Sequence, residues 1–153
     1  MKVIFLDIDG VLNSRAYDRE RTDEDGNIDL TRLPLVRDIV ERSGAFIVLS
    51  SNWRDYWEAD EEQCHDIGRE LNAIFGEAGL SIYDKTPYSR LGRAFEVKMW
   101  LNAHPDTEAF AIIDDIGGGW GDLFDDLVRT NYRIGRGLEQ EHVERALKIL
   151  GEK

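Results

Sequence analysis

Short apolar runs alternate along this chain with longer segments in which apolar residues recur at every third or fourth position. Five runs have the length of a β-strand and cover residues 2–8, 45–49, 80–83, 109–113 and 127–130. The segments with helical spacing lie around residues 33–40, 64–74, 94–101 and 143–150. Runs that are apolar on both faces are typical of strands buried inside a parallel sheet. The pattern therefore predicts five strands connected by helices.

The alternation of strands and helices indicates the fold class. Strands separated by helices of this length form a doubly wound sheet that is covered by helices on both faces. We predict an α/β fold, a Rossmann-like three-layer sandwich around a mostly parallel five-stranded sheet. No repeat and no Pro- or Ser-rich linker interrupts the sequence, so residues 1–153 are expected to form a single domain. Ligands of such sheets bind beyond the carboxyl ends of the strands, where the chemistry is expected.

Composition and charge narrow the classes of function. The 153 residues include 19 basic and 31 acidic side chains, which gives a formal net charge of −12. Such a surface repels phosphate backbones at long range, so nonspecific nucleic-acid binding is not expected. A single cysteine, Cys64, excludes an internal disulfide and a cysteine-based zinc cluster. No apolar run approaches the ~20 residues of a membrane span, and we expect a cytoplasmic protein that does not bind membranes.

Two pairs of aspartates follow two of the predicted strands. Asp7 and Asp9 stand at the end of the first strand, and Asp114 and Asp115 follow the strand at 109–113. Side chains two positions apart in an extended segment point to the same side. Four carboxylates at one sheet edge repel each other, so a divalent cation is expected among them. Oxygen ligands without convincing histidine or cysteine partners favour Mg²⁺.

A serine pair and an arginine complete the candidate site. Ser50 and Ser51 follow the second strand and lead into a turn whose backbone N–H groups suit phosphate oxygens. A serine at this point is equally suited to cap the helical turn that follows. Arg93 opens a predicted helix, where its charge is unfavourable to the helix dipole and indicates an anion nearby.

Taken in chain order, these segments resemble the four motifs of the haloacid dehalogenase superfamily, and the resemblance extends over the whole chain. The matching segments are Asp7-Ile8-Asp9-Gly10-Val11-Leu12, Ser50, Arg93 and Ile113-Asp114-Asp115. Segments 49–54 and 93–101 are also similar to small members of the superfamily that occur in RNA-repair proteins. The resemblance implies a hydrolase domain that transfers phosphoryl groups.

Roles for the strand-end residues follow from this resemblance. Asp7 would be the nucleophile that forms an aspartyl-phosphate, and Asp9 would be the general acid and then the general base. The dehalogenase branch lacks the second aspartate, so its presence favours a phosphatase. The Mg²⁺ ligands would be Asp7, the backbone carbonyl of Asp9 and Asp114, with Asp115 binding directly or through water. Ser50 and the neighbouring Ser51 would bind a phosphoryl oxygen.

Arg93 stands where the superfamily usually has a lysine. Arginine keeps the charge and adds a bidentate fork, but it is not a simple replacement. Lys98, five residues further on, is the rival for contact with the phosphate. We favour Arg93 because it lies at the helix start, nearer the strand ends. Asn13, Trp53 and Arg54 are candidate substrate contacts because they follow the first and second motifs closely. For Trp53, packing over the sheet edge is the preferred alternative to stacking on a base or sugar.

The spacing of the motifs leaves no room for a separate cap domain. Residues 14–30 are too few to fold alone, and residues 52–92 are needed for a helix and a strand. An open site suits a nucleotide or a nucleic-acid end, and it suits a small phosphate ester if residues 15–21 form a flap. Two alternatives share the fold: a non-enzymatic phospho-receiver and a partner-binding domain. A receiver carries its phosphorylated aspartate on a middle strand, and the strand expected there ends in Ser50 instead.

Overall fold

The sheet has five strands, and all of them are parallel. The computed structural model describes residues 1–153. The strands are β1 (Lys2–Leu6), β2 (Phe46–Leu49), β3 (Ile82–Lys85), β4 (Ala109–Asp114) and β5 (Leu127–Arg129). Their order across the sheet is β3-β2-β1-β4-β5. The predicted fold class is confirmed, although β3 begins two residues later than expected because the Leu80 N–H donates to the Phe75 carbonyl at the preceding helix end.

Helices cover both faces of the sheet unequally. The helices are α1 (Arg15–Glu20), α2 (Leu33–Ser43), α3 (Asp66–Glu77), α4 (Arg93–Ala103) and α5 (Gln140–Leu150). α2, α3 and α5 pack on one face and close a core of 26 buried residues. α4 and the 3₁₀ segment Gly121–Asp126 pack on the other face, around nine buried residues that include Phe5 and Ile112. The three-layer arrangement follows from strands that are apolar on both faces.

The middle strand of the sheet is β1, not the strand that ends in Ser50. β1 pairs with β2 on one side and with β4 on the other. The expectation that the middle strand lacks an aspartate was therefore wrong, because Asp7 directly follows β1. Chain order alone does not reveal this, since the chain passes from β1 outward to β3 and then returns to the opposite side for β4.

The two segments between the motifs consist of short helices, turns, one strand and loops. Residues 14–30 form α1 and a loop that folds back on it, held by hydrogen bonds from the Tyr17 hydroxyl to the Gly26 carbonyl (2.7 Å) and from Arg21 to Asn27 Oδ1 (2.8 Å). Residues 52–92 form two short 3₁₀ turns, α3, β3 and connecting loops. α1 was not predicted, because six residues are too few to establish a helical period. None of the helices has both the length and the apolar character needed to cross a membrane.

Candidate active site

Asp7 and Asp114 are neighbours because β1 and β4 pair in register. Leu6 is opposite Ile113, and the Asp7 N–H continues the ladder by donating to the Ile113 carbonyl at 3.0 Å. Side chains alternate along a strand, so both aspartates point to the face that carries Phe5, Ile112 and α4. Both residues are buried: the exposed fraction of the surface is 2% for Asp7 and 0% for Asp114. The fold thus places two acids side by side without solvent.

Arg93 lies between these two acids. It is the first residue of α4, and its Nη1 is 2.9 Å from Asp7 Oδ2 and 2.6 Å from Asp114 Oδ2. Lys98 lies one turn further along and points outward, where its Nζ is 2.6 Å from Asp122 Oδ1. Of the two basic residues that the sequence offered, Arg93 therefore faces the acids.

The charges at this edge are not balanced by Arg93 alone. Burial, together with the charge of Asp114, raises the pKa of Asp7 to about 7 although Arg93 acts in the opposite direction. The pKa of Asp114 is also raised, mainly by burial and in spite of Arg93. Burial would lower the pKa of Arg93, but the two aspartates outweigh this effect and raise it. The acids retain an excess of negative charge that a further cation would neutralise.

Asp7, Asp114 and Asp115 have the donor set of a hard divalent cation. One carboxylate oxygen from each of them lies within 4.8 Å of the others. Asp115 comes this close because Gly10 has no side chain: a Cβ on Gly10 would lie 2.3 Å from Asp115 Oδ2. Gly10 also has a φ of +85°, a conformation that favours glycine. Three carboxylates with no histidine or cysteine ligand fit Mg²⁺ better than a softer metal.

Asp9 stands apart from this cluster and is exposed. Its Oδ1 accepts a hydrogen bond from Asn13 Nδ2 at 3.0 Å, and its Oδ2 accepts one from Trp53 Nε1 at 3.2 Å. Asn13 Oδ1 in turn accepts from the Gly10 N–H, while the Thr130 hydroxyl donates to the Gly10 carbonyl. These bonds fix the turn after β1. The role of Thr130 was not anticipated, because nothing in the sequence links it to Gly10.

The two serines have different surroundings. Ser50 is 1% exposed, and its Oγ has no hydrogen-bond partner within the protein. Ser51 Oγ accepts from the Trp53 N–H at 3.2 Å and caps the 3₁₀ turn Asn52–Tyr56. A buried hydroxyl without a partner is costly unless a ligand or water satisfies it. Of the two, Ser50 is therefore the one with a free hydroxyl.

Arg54 does not face the acids. Its guanidinium forms a buried, two-point ion pair with Glu96 of α4, at 3.1 Å from Nη1 to Oε1 and 2.7 Å from Nη2 to Oε2. Glu96 Oε2 also accepts from the Ser89 N–H. The sequence named Arg54 as a candidate substrate contact and gave no indication of Glu96, since no local pattern pairs residues 42 positions apart.

A polar cavity of about 520 Å³ opens beside Asp9. The predicted contacts Asn13 and Trp53 line it together with Asp9. The remaining lining residues were not anticipated and are Asp18, Arg21, Asn27 and Tyr132. Three of them belong to α1 and the loop that follows it. Sequence reasoning had no signal for them beyond the proposed flap at residues 15–21.

The parallel sheet, with acids at the ends of β1 and β4 and a basic residue between them, defines a small domain of the haloacid dehalogenase (HAD) class. Residues 3–143 match a family described as the HAD domain in Swiss Army Knife RNA repair proteins, and the chain belongs to this family. Searches of curated proteins and of solved structures give no match. Membership suggests a hydrolase of the phosphatase type that binds phosphorylated substrates.

Proposed function

We propose that this protein is a Mg²⁺-dependent phosphomonoesterase in which Asp7 carries the phosphoryl group between substrate and water. The observation that supports this most directly is the buried Asp7–Arg93–Asp114 contact, with Asp115 within reach of the same point. A nucleophilic carboxylate, a cation for the phosphate and a set of metal ligands then lie at one sheet edge. A phosphatase of this kind needs all three.

Three carboxylates and one carbonyl would hold the metal. They belong to Asp7, Asp114 and Asp115 and to the backbone of Asp9, whose carbonyl accepts no hydrogen bond within the protein. Bound there, Mg²⁺ would neutralise the acids and the charge that develops on the phosphoryl oxygens. The raised pKa of Asp7 supports this assignment. Attack on phosphorus requires the ionised carboxylate, and a bound cation would favour this form over the protonated one.

Asp7 and Asp9 divide the chemistry between them. An Asp7 oxygen attacks phosphorus, the bond from phosphorus to the leaving oxygen breaks, and Asp9 gives that oxygen its proton. Asp9 then accepts a proton from water, the water oxygen attacks phosphorus, and inorganic phosphate leaves with Asp7 restored. Asn13 and Trp53 each donate a hydrogen bond to Asp9 and orient its carboxylate toward the polar cavity.

Arg93 and Ser50 bind the phosphoryl oxygens. Arg93 contacts both aspartates through Nη1, and its Nε and Nη2 make no hydrogen bond within the protein. Two donors of a planar fork are thus left for an anion. The free Ser50 hydroxyl supplies a third donor from the end of β2. The Ser51 side chain caps the turn Asn52–Tyr56, so Ser51 would bind a phosphoryl oxygen through its backbone N–H.

The open edge suits phosphorylated substrates of several sizes, namely nucleotides, nucleic-acid ends and small phosphate esters. The net charge of −12 favours recognition of one phosphorylated group over binding along a nucleic-acid backbone. A cytoplasmic location is consistent with a substrate of this class.

Hydrolysis of an aryl phosphate tests the proposal. We expect turnover with Mg²⁺, none with EDTA, and a loss of at least about 10³-fold in Asp7→Asn, which cannot form the acyl phosphate. The matched control is Asp106→Asn, an exposed acid before β4 at the opposite edge of the sheet, which retains the wild-type rate. Absence of metal-dependent turnover on aryl phosphate, nucleotides and phosphorylated oligonucleotides would refute the enzyme proposal.

The same reagents separate the phosphatase from the two non-enzymatic alternatives. A receiver domain would accumulate phosphorylated Asp7 from a small phosphodonor and release phosphate slowly. A partner-binding domain would do neither. Mass spectrometry of the intact chain after mixing with the donor distinguishes a long-lived phosphorylated form from rapid turnover.

A further inference from the structure

A second cavity adjoins the polar cavity beside Asp9. It measures about 320 Å³ and lies between the loop at residues 26–28, the turn Asn52–Tyr56 and α3. Trp53 and Asn27 line both cavities, so one ligand can extend from the first into the second. The volume lies at the lower end of the range typical of small-molecule sites.

The two cavities differ in chemistry. Around Asp9 the lining is polar, with the Asp18 carboxylate, the Asn27 amide and the Tyr132 hydroxyl within the same cavity. The second cavity is bounded by aromatic and aliphatic side chains, chiefly Tyr56, Ile67 and Ile74, with Glu70 as its only charged residue. Beginning at the phosphate, a ligand would pass hydrogen-bonding groups and then reach a flat apolar wall.

The aromatic side chains of this wall are available to a ligand. Trp53 is half-buried and fixed through its N–H to Asp9, while Tyr56 remains 39% exposed. Aromatic faces that border a cavity stack on planar rings and bind nucleobases without strong sequence preference. A nucleotide has a phosphate, then sugar hydroxyls and then a base, which is the order of chemistry that the two cavities offer.

We propose that the second cavity binds the base of a nucleoside monophosphate unit, with the ribose beside Asp9 and the phosphate at Asp7. This inference rests on the proposed function, which supplies the position of the phosphate. Three aspartates, Asp18, Asp23 and Asp25, and one arginine, Arg21, border a further pocket next to the ribose position. The net negative charge of this pocket disfavours a second phosphate there, so the unit recognised carries a single phosphate, either as a free mononucleotide or as the terminal nucleotide of a strand.

The test compares nucleotides with the same phosphate ester lacking a base. In the wild-type protein, kcat/KM for 5′- or 3′-AMP should exceed that for ribose 5-phosphate by tenfold or more. Tyr56→Ala should reduce this ratio by about tenfold through a higher KM, the effect of losing one base-stacking contact. Tyr56→Phe keeps the ring and should restore the ratio. Tyr83→Ala removes an exposed tyrosine on β3, away from both cavities, and should leave all rates unchanged.

The outcomes separate this inference from the proposed function. Equal ratios in the wild type and Tyr56→Ala would overturn the base site, although turnover of ribose 5-phosphate would still support a phosphatase. If neither ester is hydrolysed, aryl phosphate and phosphorylated oligonucleotides decide on the phosphatase proposal, and calorimetric titration with adenosine alone decides on the cavity: binding that Tyr56→Ala removes supports the base site, and no binding overturns it. An oligonucleotide with one terminal phosphate, run beside the mononucleotides, tells which source is preferred. A thermal melt of Tyr56→Ala verifies that the variant is folded.

Discussion

Arg93 is the residue on which the charge balance of the candidate site depends. It neutralises one of two buried carboxylates and keeps two of its donors free. A lysine would bring the same charge on a more flexible stem but no planar fork. The replacement of the usual lysine by arginine is thus compatible with the geometry, because the guanidinium reaches both aspartates with one nitrogen.

Replacement of each of the two basic residues of α4 by alanine tests this assignment. Arg93→Ala should lower kcat/KM for an aryl phosphate by about 10²- to 10³-fold, the usual effect of removing a donor that stabilises the transition state. Lys98→Ala should retain near wild-type kinetics, because its side chain pairs with Asp122 on the outside. Full turnover in Arg93→Ala together with loss in Lys98→Ala would reverse the assignment.

The buried carboxylate of Asp7 makes the metal-free protein sensitive to pH. Its pKa is raised from the ordinary value of 3.8 to about 7, mainly by burial, so the folded protein holds this proton more tightly than the unfolded chain does. The free energy of unfolding should therefore fall as pH rises from about 4 to 7. Asp7→Asn lacks this titration and should exceed the wild type by roughly 1–3 kcal/mol at pH 8, with the difference disappearing near pH 4.

Urea unfolding in EDTA at pH 4, 6 and 8 measures this effect. Addition of Mg²⁺ provides the control, because the ion binds the native acids and should stabilise the wild type more than the variant at pH 8. A wild-type protein that is at least as stable as metal-free Asp7→Asn at pH 8 would contradict the predicted cost of the buried charge.

Two elements, α4 and β3, hold the turn that carries Trp53. Arg54, within the turn Asn52–Tyr56, forms its buried ion pair with Glu96 of α4. Lys85 of β3 donates hydrogen bonds to the carbonyls of Arg54 and Trp57 at 3.0 and 2.7 Å. The turn is thus tied to both its neighbouring strand and the opposite helix layer, and these ties set the position of the aromatic side chains at the cavities.

Removal of Glu96 should show how much this tie contributes to stability. Glu96→Ala leaves the Arg54 charge buried without a partner and should lower the free energy of unfolding by about 3 kcal/mol or more. The double variant Arg54→Met/Glu96→Leu replaces both charges by apolar groups and should recover most of the loss. Equilibrium urea unfolding of Arg54→Met, Glu96→Leu and the double variant gives the coupling energy, and additive losses would contradict a coupled pair.

At the level of elements, the sequence predicts what depends on local pattern and misses what depends on pairing between distant segments. The runs at 2–8 and 109–113 are apolar enough to identify β1 and β4, and the acids that follow them locate the candidate site. The partnership of Arg54 with Glu96 and of Thr130 with Gly10 joins residues 42 and 120 positions apart. No short-range periodicity encodes such contacts, and the same holds for the central place of β1.

The whole molecule carries a net negative charge around the site proposed to bind anionic substrates. Arg93 and the proposed metal provide positive charge only at the sheet edge, while the net charge of −12 acts over the full surface. Long-range repulsion slows the approach of a dianionic substrate. Salt screens this repulsion at separations beyond the Debye length, which is about 10 Å at 0.1 M.

Ionic strength should therefore raise the catalytic efficiency. Between about 20 and 200 mM NaCl at constant Mg²⁺, kcat/KM for a phosphomonoester should increase by about two- to threefold. A triple variant that neutralises the exposed acids Asp60, Glu61 and Glu62 to their amides should show a weaker dependence. A decrease with salt, as basic nucleic-acid-binding proteins display, would instead indicate that local positive charge dominates the encounter.

The central place of β1 also determines when the candidate site forms during folding. β1 pairs with β4, whose register joins Lys2 to Ala109, and contacts of such long sequence separation form slowly because a large loop must close first. Asp7 and Asp114 meet only when this pairing is complete. In a chain folded only as far as β3, Asp7, the proposed nucleophile, has neither Arg93 nor Asp114 beside it, so metal binding and the proposed turnover should appear together during refolding, when β4 joins the sheet.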